Sequence, residues 1–132
     1  MIVQVISRSQ AGDPDGASRA LEALVQRWDE QITVAHLGPK ELSAEQRKAI
    51  DPVSIAALFL SIPSAALAVL DLADRMRKRQ RAKQLIEKAG ELRASRDVGV
   101  YVVTGQGAIP LETMHPDKLL ELATSSDEQG DK

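Results

Sequence analysis

The sequence predicts an α+β fold: a small sheet from a βαβ unit plus a C-terminal β-hairpin, with a long Pro-kinked central helical element. Three observations carry that expectation. Residues 2–6 and 98–104 are short β-branched runs of the kind that form strands. Ala20, Leu21, Leu24, Val25 and Trp28 recur at helical spacing between the first strand and a second β-branched run at 31–35. Leu85, Ile86, Ala89 and Leu92 keep an apolar stripe late in a long stretch that contains no proline. A chain of 132 residues has room for one such domain, placed at 1–123, with a modest core.

Each element has its own local cause. Ile2-Val3-Gln4-Val5-Ile6 forms the first strand, and Asp13-Pro14 supplies an N-cap and first-turn proline for a helix over 14–30. Gln31-Ile32-Thr33-Val34-Ala35 is the second strand, closed by Gly38-Pro39. Two strands joined by a helix of this length form a βαβ unit with parallel strands. Ser43-Ala44-Glu45-Gln46 matches a capping box that starts a short helix ending near Ile50, and Asp51-Pro52 caps the next. From Ser64 to about Arg96 only Gly90 disfavours helix. Val98–Thr104 is the strongest strand, Gly105-Gln106-Gly107 turns it, and Ala108-Ile109-Pro110-Leu111 pairs back as an edge strand. Pro116 opens a last helix carrying Leu119, Leu120 and Leu122. Residues 124–132 are polar and read as a disordered tail.

The stretch 52–70 departs most from an ordinary surface helix. Between Pro52 and Leu70 the only polar side chains are Ser54, Ser61 and Ser64. A membrane-spanning helix needs roughly 20 apolar residues. This run has two prolines and three serines, and crossing would put the first two strands and the Val98 strand on opposite sides of the bilayer. A clean span is therefore disfavoured. Two readings stay open: core helices bent at Pro63 and packed on the sheet, or an element that dips into a membrane or forms an oligomer seam.

A basic run follows, with Arg75, Arg77, Lys78, Arg79, Arg81 and Lys83 and no acidic residue among them. At about 100° per residue these charges point all round a helix, so this turn is expected in solvent or among lipid headgroups. A helix passing from apolar to basic resembles one leaving a bilayer on its cytoplasmic side.

Catalytic constellations are missing. There is no cysteine, so thiolate metal sites and cysteine nucleophiles are excluded. His36 and His115 lie on separate loops and read as surface or capping residues. Asp13-Pro14-Asp15-Gly16 lacks the downstream glutamate of a calcium loop. Gly105-Gln106-Gly107 sits between strands and lacks the third glycine of a dinucleotide fingerprint. A net charge of −2 and only three aromatics argue against nucleic-acid binding. No catalytic, cofactor-binding or metal residues are assigned, and no cofactor is expected. Residues 1–6 read as a strand rather than a signal peptide, which points to a cytoplasmic start.

Asp51-Pro52-Val53 through Leu70, the run Arg75-Met76-Arg77-Lys78-Arg79, residues 98–103, the Gly105-Gln106-Gly107 turn and Leu119-Leu120-Glu121-Leu122 together resemble the effector-associated constant components. These are small proteins of predicted bacterial conflict or immunity systems. The resemblance implies a non-enzymatic adaptor encoded with a variable effector: a protease, a caspase-like protein or an NTPase. Apolar contact is then expected from Leu58, Phe59, Leu60, Leu67 and Leu70, and basic contact from Arg75, Arg77, Lys78 and Arg79. The setting would be the inner face of the membrane or a self-associated form. The alternative is a soluble partner-binding domain with the apolar helices buried in its own core.

Overall fold

The computed structural model describes residues 1–29, 31–37, 58–105 and 107–130. The expected helix near Ser43, the cap at Asp51-Pro52, residues 52–57 of the apolar run and Gln106 lie outside the described residues. The fold is α+β, as expected. Five strands form one antiparallel sheet: β1 (Ile2–Ser7), β2 (Ala35–Leu37), β3 (Leu58–Ser61), β4 (Val98–Thr104) and β5 (Gly107–Pro110), in the order β2-β3-β1-β4-β5. The helices are α1 (Pro14–Trp28), α2 (Leu72–Arg96) and α3 (Pro116–Gly130).

β1 lies at the centre because its residues suit burial on both sides. Val3 stands opposite Leu60 on β3 and Val102 on β4, while Gln4 stands opposite Phe59 and Tyr101. Alternation along a strand therefore places Val3, Val5, Leu60, Val100 and Val102 on one face. They form a single core with Ala17, Leu21 and Val25 of α1, Ala82, Leu85, Ala89 and Leu92 of α2, and Leu119 and Ala123 of α3. On the other face Phe59 packs with Ile2, Ile6 and Leu37.

The apolar run is where expectation and structure part. Residues 58–61 are a strand, not helix, and β3 inserts between β1 and β2. β1 and β2 still run in the same direction, as the βαβ reading required, but each pairs with β3 rather than with the other. A short apolar run carries the same pattern as a buried strand or a buried helix. The open edge of β1, a long-range partner, decides for strand.

Pro63 ends β3 and precedes a 3-10 turn at Ser64–Ala66. It does not kink the central helix, which begins only at Leu72, where the Asp71 carboxylate accepts from Asp74 N at 2.7 Å. The second strand also starts later than expected. The carbonyl of Asp29 accepts from Ile32 N at 3.0 Å and its side chain from Gln31 N at 2.9 Å, so a turn occupies these residues first.

Other boundaries follow their local signals. Asp13 caps α1 by accepting from Gly16 N at 3.0 Å, and Pro14 sits in the first turn. β5 is the sheet edge, as Pro110 demands. α3 runs on to Gly130 instead of giving way to a disordered tail at 124; Gly130 is the first glycine after Pro116. Among the described residues no helix is long and apolar enough to cross a membrane.

Candidate functional site

The first turns of α2 carry the most unusual surface of the described residues. Leu70, Leu72 and Met76 are 84%, 87% and 82% exposed, and they are the large apolar side chains left uncovered. Leu72 and Met76 are four residues apart and so neighbours on one helix face. Met76 precedes Leu85 by nine residues, about half a turn away from the buried stripe at about 100° per residue.

Around this patch the guanidinium groups are paired. Arg77 bridges Asp74 at 2.5 Å within the same turn of α2, and Arg79 and Arg75 approach Asp117 of α3 at 3.3 and 3.7 Å. Asp74 also accepts from Leu70 N at 3.3 Å. Burial alone would raise its pKa, but the hydrogen bonds from Arg77 and Leu70 N outweigh that and hold it below the usual carboxylate value.

Not all of the basic run faces outward. Lys78 and Arg81 are only 4% and 9% exposed. Seven residues before Leu85, Lys78 falls about 20° from the apolar stripe, and Arg81 lies just as close to the angle of Leu92. Both cations point at backbone carbonyls that have lost their helical partners. Lys78 Nζ donates to Ala65 O at 2.6 Å and reaches Ala66 O at 3.5 Å. Arg81 donates through Nη1 to Ala66 O at 2.9 Å and through Nη2 to Trp28 O, at the end of α1, at 3.2 Å. Long cationic stems bury their methylenes here and spend their charge on carbonyl oxygens. Burial, and repulsion from Arg81 and Arg77, push the Lys78 pKa below 10.5 despite the attraction of Asp74. Burial and Arg77 lower that of Arg81 likewise.

The expected contact residues therefore separate. Phe59, Leu60 and Leu67 are buried at 1%, 0% and 1% exposure, and Leu58 is half-buried against the core. They are internal packing residues and not contact surface: Leu60 and Leu67 join the core shared with the helices, and Phe59 packs with Ile2, Ile6 and Leu37 on the other face of the sheet. Of the apolar set only Leu70 is exposed. Of the basic set Arg75, Arg77 and Arg79 reach the surface, and Lys78 does not. Leu72, Met76 and Asp117 complete the patch without having been singled out in the sequence. The i, i+4 apolar pair on an otherwise polar face was the available signal.

Among the described residues, two open clefts flank α2. One, of about 460 Å³, lies beside the patch and is lined by Met76, Arg79, Lys83, Ile86 and Pro116 among others. The second, of about 270 Å³, lies between the end of α1 and the 3-10 turn, where Arg77, Lys78, Arg81 and Asp29 meet. Neither histidine lines either cleft, although His115 adjoins Pro116 and Asp117 at the first. His36 Nε2 is 2.8 Å from Glu22, and His115 Nδ1 accepts from Asp117 N at 3.2 Å at the start of α3. Among the described residues no three His, Cys, Asp or Glu side chains gather as a cation-binding group.

No family model matches this chain, and neither a curated protein nor a solved structure matches it.

Proposed function

We propose that this protein is a non-enzymatic adaptor of a bacterial conflict or immunity system, which docks an effector protein on the first turns of α2. The observation that carries this reading is the exposure of Leu70, Leu72 and Met76 on the short segment that also carries the exposed Arg75, Arg77 and Arg79. A cluster of large uncovered apolar side chains with a polar rim is the ordinary anatomy of a protein-binding surface. The effector as partner class rests on the resemblance to effector-associated constant components.

Charge favours a protein over a lipid surface as the occupant. Arg75, Arg77 and Arg79 are balanced by Asp74 and Asp117, with Asp71 at the cap. Three cations against three carboxylates leave little net field to hold an anionic headgroup layer. The same arginines can still exchange partners with carboxylates on a docked protein. The burial of Phe59, Leu60 and Leu67 fits the alternative in which the apolar run belongs to the core, so only the patch on α2 is offered for contact.

The test is co-purification with the product of the neighbouring effector gene. Leu72→Asp with Met76→Asp should weaken the complex by about 100-fold or more, while circular dichroism shows the same fold. Undiminished binding by that double variant defeats the reading. Flotation with vesicles containing anionic lipid, lost in the double variant and found without effector binding, transfers the patch to a membrane role.

A further inference from the structure

We propose that the cleft between the end of α1 and the 3-10 turn binds a small oxyanion, inorganic phosphate or the phosphoryl or carboxylate end of a metabolite, on Arg77, Lys78 and Arg81. The cleft is about 270 Å³, several times the roughly 30 Å³ that a water occupies in the liquid. It therefore has room for a compact oxyanion together with some of its waters.

The charge balance of the cleft asks for an anion. Arg77, Lys78 and Arg81 bring three positive charges to it, and Asp29 on its wall and Asp74 beside Arg77 bring two negative ones. Among the described residues one positive charge is left over, in a place where two of the cations are at least nine-tenths buried. The three cations repel one another there: both Arg77 and Arg81 disfavour the charged form of Lys78, and Arg77 disfavours that of Arg81. Like charges held together, two of them buried, gain more from an added anion than fully exposed charges do.

Donors remain for such a ligand. A guanidinium carries five N–H groups and an ammonium three. Arg81 engages Ala66 O and Trp28 O, and Lys78 engages Ala65 O and Ala66 O. Arg77 is the most exposed of the three, and its hold on Asp74 can be shared with a ligand at the opening. Asp29 is the opposing feature. One of its oxygens already accepts from Gln31 N at 2.9 Å, but its charge competes with any incoming anion. That competition gives the proposal a second, opposite-signed handle.

The experiment uses the full chain in low-salt buffer with chloride held constant, since screening weakens such contacts. Inorganic phosphate and, separately, acetate are titrated while backbone amide shifts and thermal midpoint are followed. Saturable shifts confined to residues 29–32, 63–66 and 77–81 are expected. Arg77→Met should weaken binding about tenfold, and Asp29→Asn, whose amide oxygen can still accept from Gln31 N, should tighten it several-fold. Arg93→Met, in the last turn of α2, serves as a distant control and should change nothing. Phosphate binding without acetate binding assigns the phosphoryl class, and the reverse the carboxylate class. A dissociation constant weaker than roughly 10 mM for both anions overturns the proposal. So does equal affinity in the wild type, Arg77→Met and Asp29→Asn. None of these outcomes depends on the effector, so this site and the α2 patch stand or fall separately.

Discussion

Arg81 lies over the indole of Trp28, its guanidinium carbon 5.6 Å from the ring centroid, while it donates to the carbonyl of the same residue at 3.2 Å. One side chain on α2 thus closes the end of α1 through both a cation–π contact and a hydrogen bond. The indole N–H of Trp28 reaches back to Gln84 on α2 at 2.8 Å, which makes the junction reciprocal.

Arg81→Met keeps most of the stem and removes the charge. It leaves Trp28 O without its donor from α2 and weakens the hold on Ala66 O. Removing a buried charged donor of this kind should cost about 2–4 kcal/mol, measured by urea denaturation. Arg81→Lys should recover only part of it, because an ammonium cannot span two carbonyls from one rigid plane. A loss below about 0.5 kcal/mol for Arg81→Met would place the guanidinium among ordinary surface charges.

Phe59 separates a core role from a contact role. It is buried on the sheet face opposite the helices, between Gln4 and Leu37 of its two neighbouring strands. Phe59→Ala should destabilise the fold by about 3–5 kcal/mol, whereas Leu70→Ala, at an exposed position, should stay within about 0.5 kcal/mol. Equal midpoints for the two variants in a denaturant titration would return Phe59 to the surface.

What the sequence disclosed was whatever rested on local signals. Asp13-Pro14, Val98–Thr104, Pro110 at an edge and Pro116 at a helix start all act within a few residues, and each sits where its chemistry puts it. Leu58–Ser61 does not work that way. Its state is decided by β1, more than fifty residues earlier. The same holds for Lys78 and Arg81. Their angle on the helix already placed them with Leu85 and Leu92, but the rule that charges face water argued against it. The carbonyls that make burial affordable, Ala65, Ala66 and Trp28, are neighbours only once the chain has folded. The exposed pair Leu72 and Met76 was passed over because the apolar run was followed only as far as Leu70 and the segment after it was read for its charges.

Lys78 gives a prediction in pH. Its folded pKa lies below the ordinary 10.5, chiefly through burial. Between the folded value and 10.5 the unfolded chain therefore holds more protons than the folded one, so stability rises with pH across that window. Below the folded value the cost of burying the charge is constant. Lys78→Met abolishes this alkaline gain and leaves the other titrating groups in place. Urea midpoints taken at increasing pH towards 10.5 should diverge, with the wild type gaining relative to Lys78→Met. Parallel curves would show that the ammonium is as well solvated in the fold as out of it.

Two glycines should respond to the same substitution with opposite signs. Gly12 lies in the loop between β1 and α1, which is stitched to the end of α2. Arg8 N donates to Asp97 O and Asp13 N to Arg96 O, both at 2.9 Å, and Ser9 donates to the Asp97 carboxylate. Asp97 itself adopts the left-handed conformation, φ 53°, that ends α2. A Cβ on Gly12 would come within 2.7 Å of Asp97 O, a backbone atom already fixed by Arg8 N, and would also strike the Ser7 side chain. Serine can rotate away, but the carbonyl cannot move without loosening the junction. Gly12→Ala should therefore destabilise by about 1–3 kcal/mol. Gly90 sits inside α2 with nothing within 4 Å of the added carbon, and Gly90→Ala should stabilise by about 0.5–1 kcal/mol through helix propensity. Thermal midpoints moving in the same direction for both variants would break the link between the β1–α1 loop and the end of α2 on which this contrast depends.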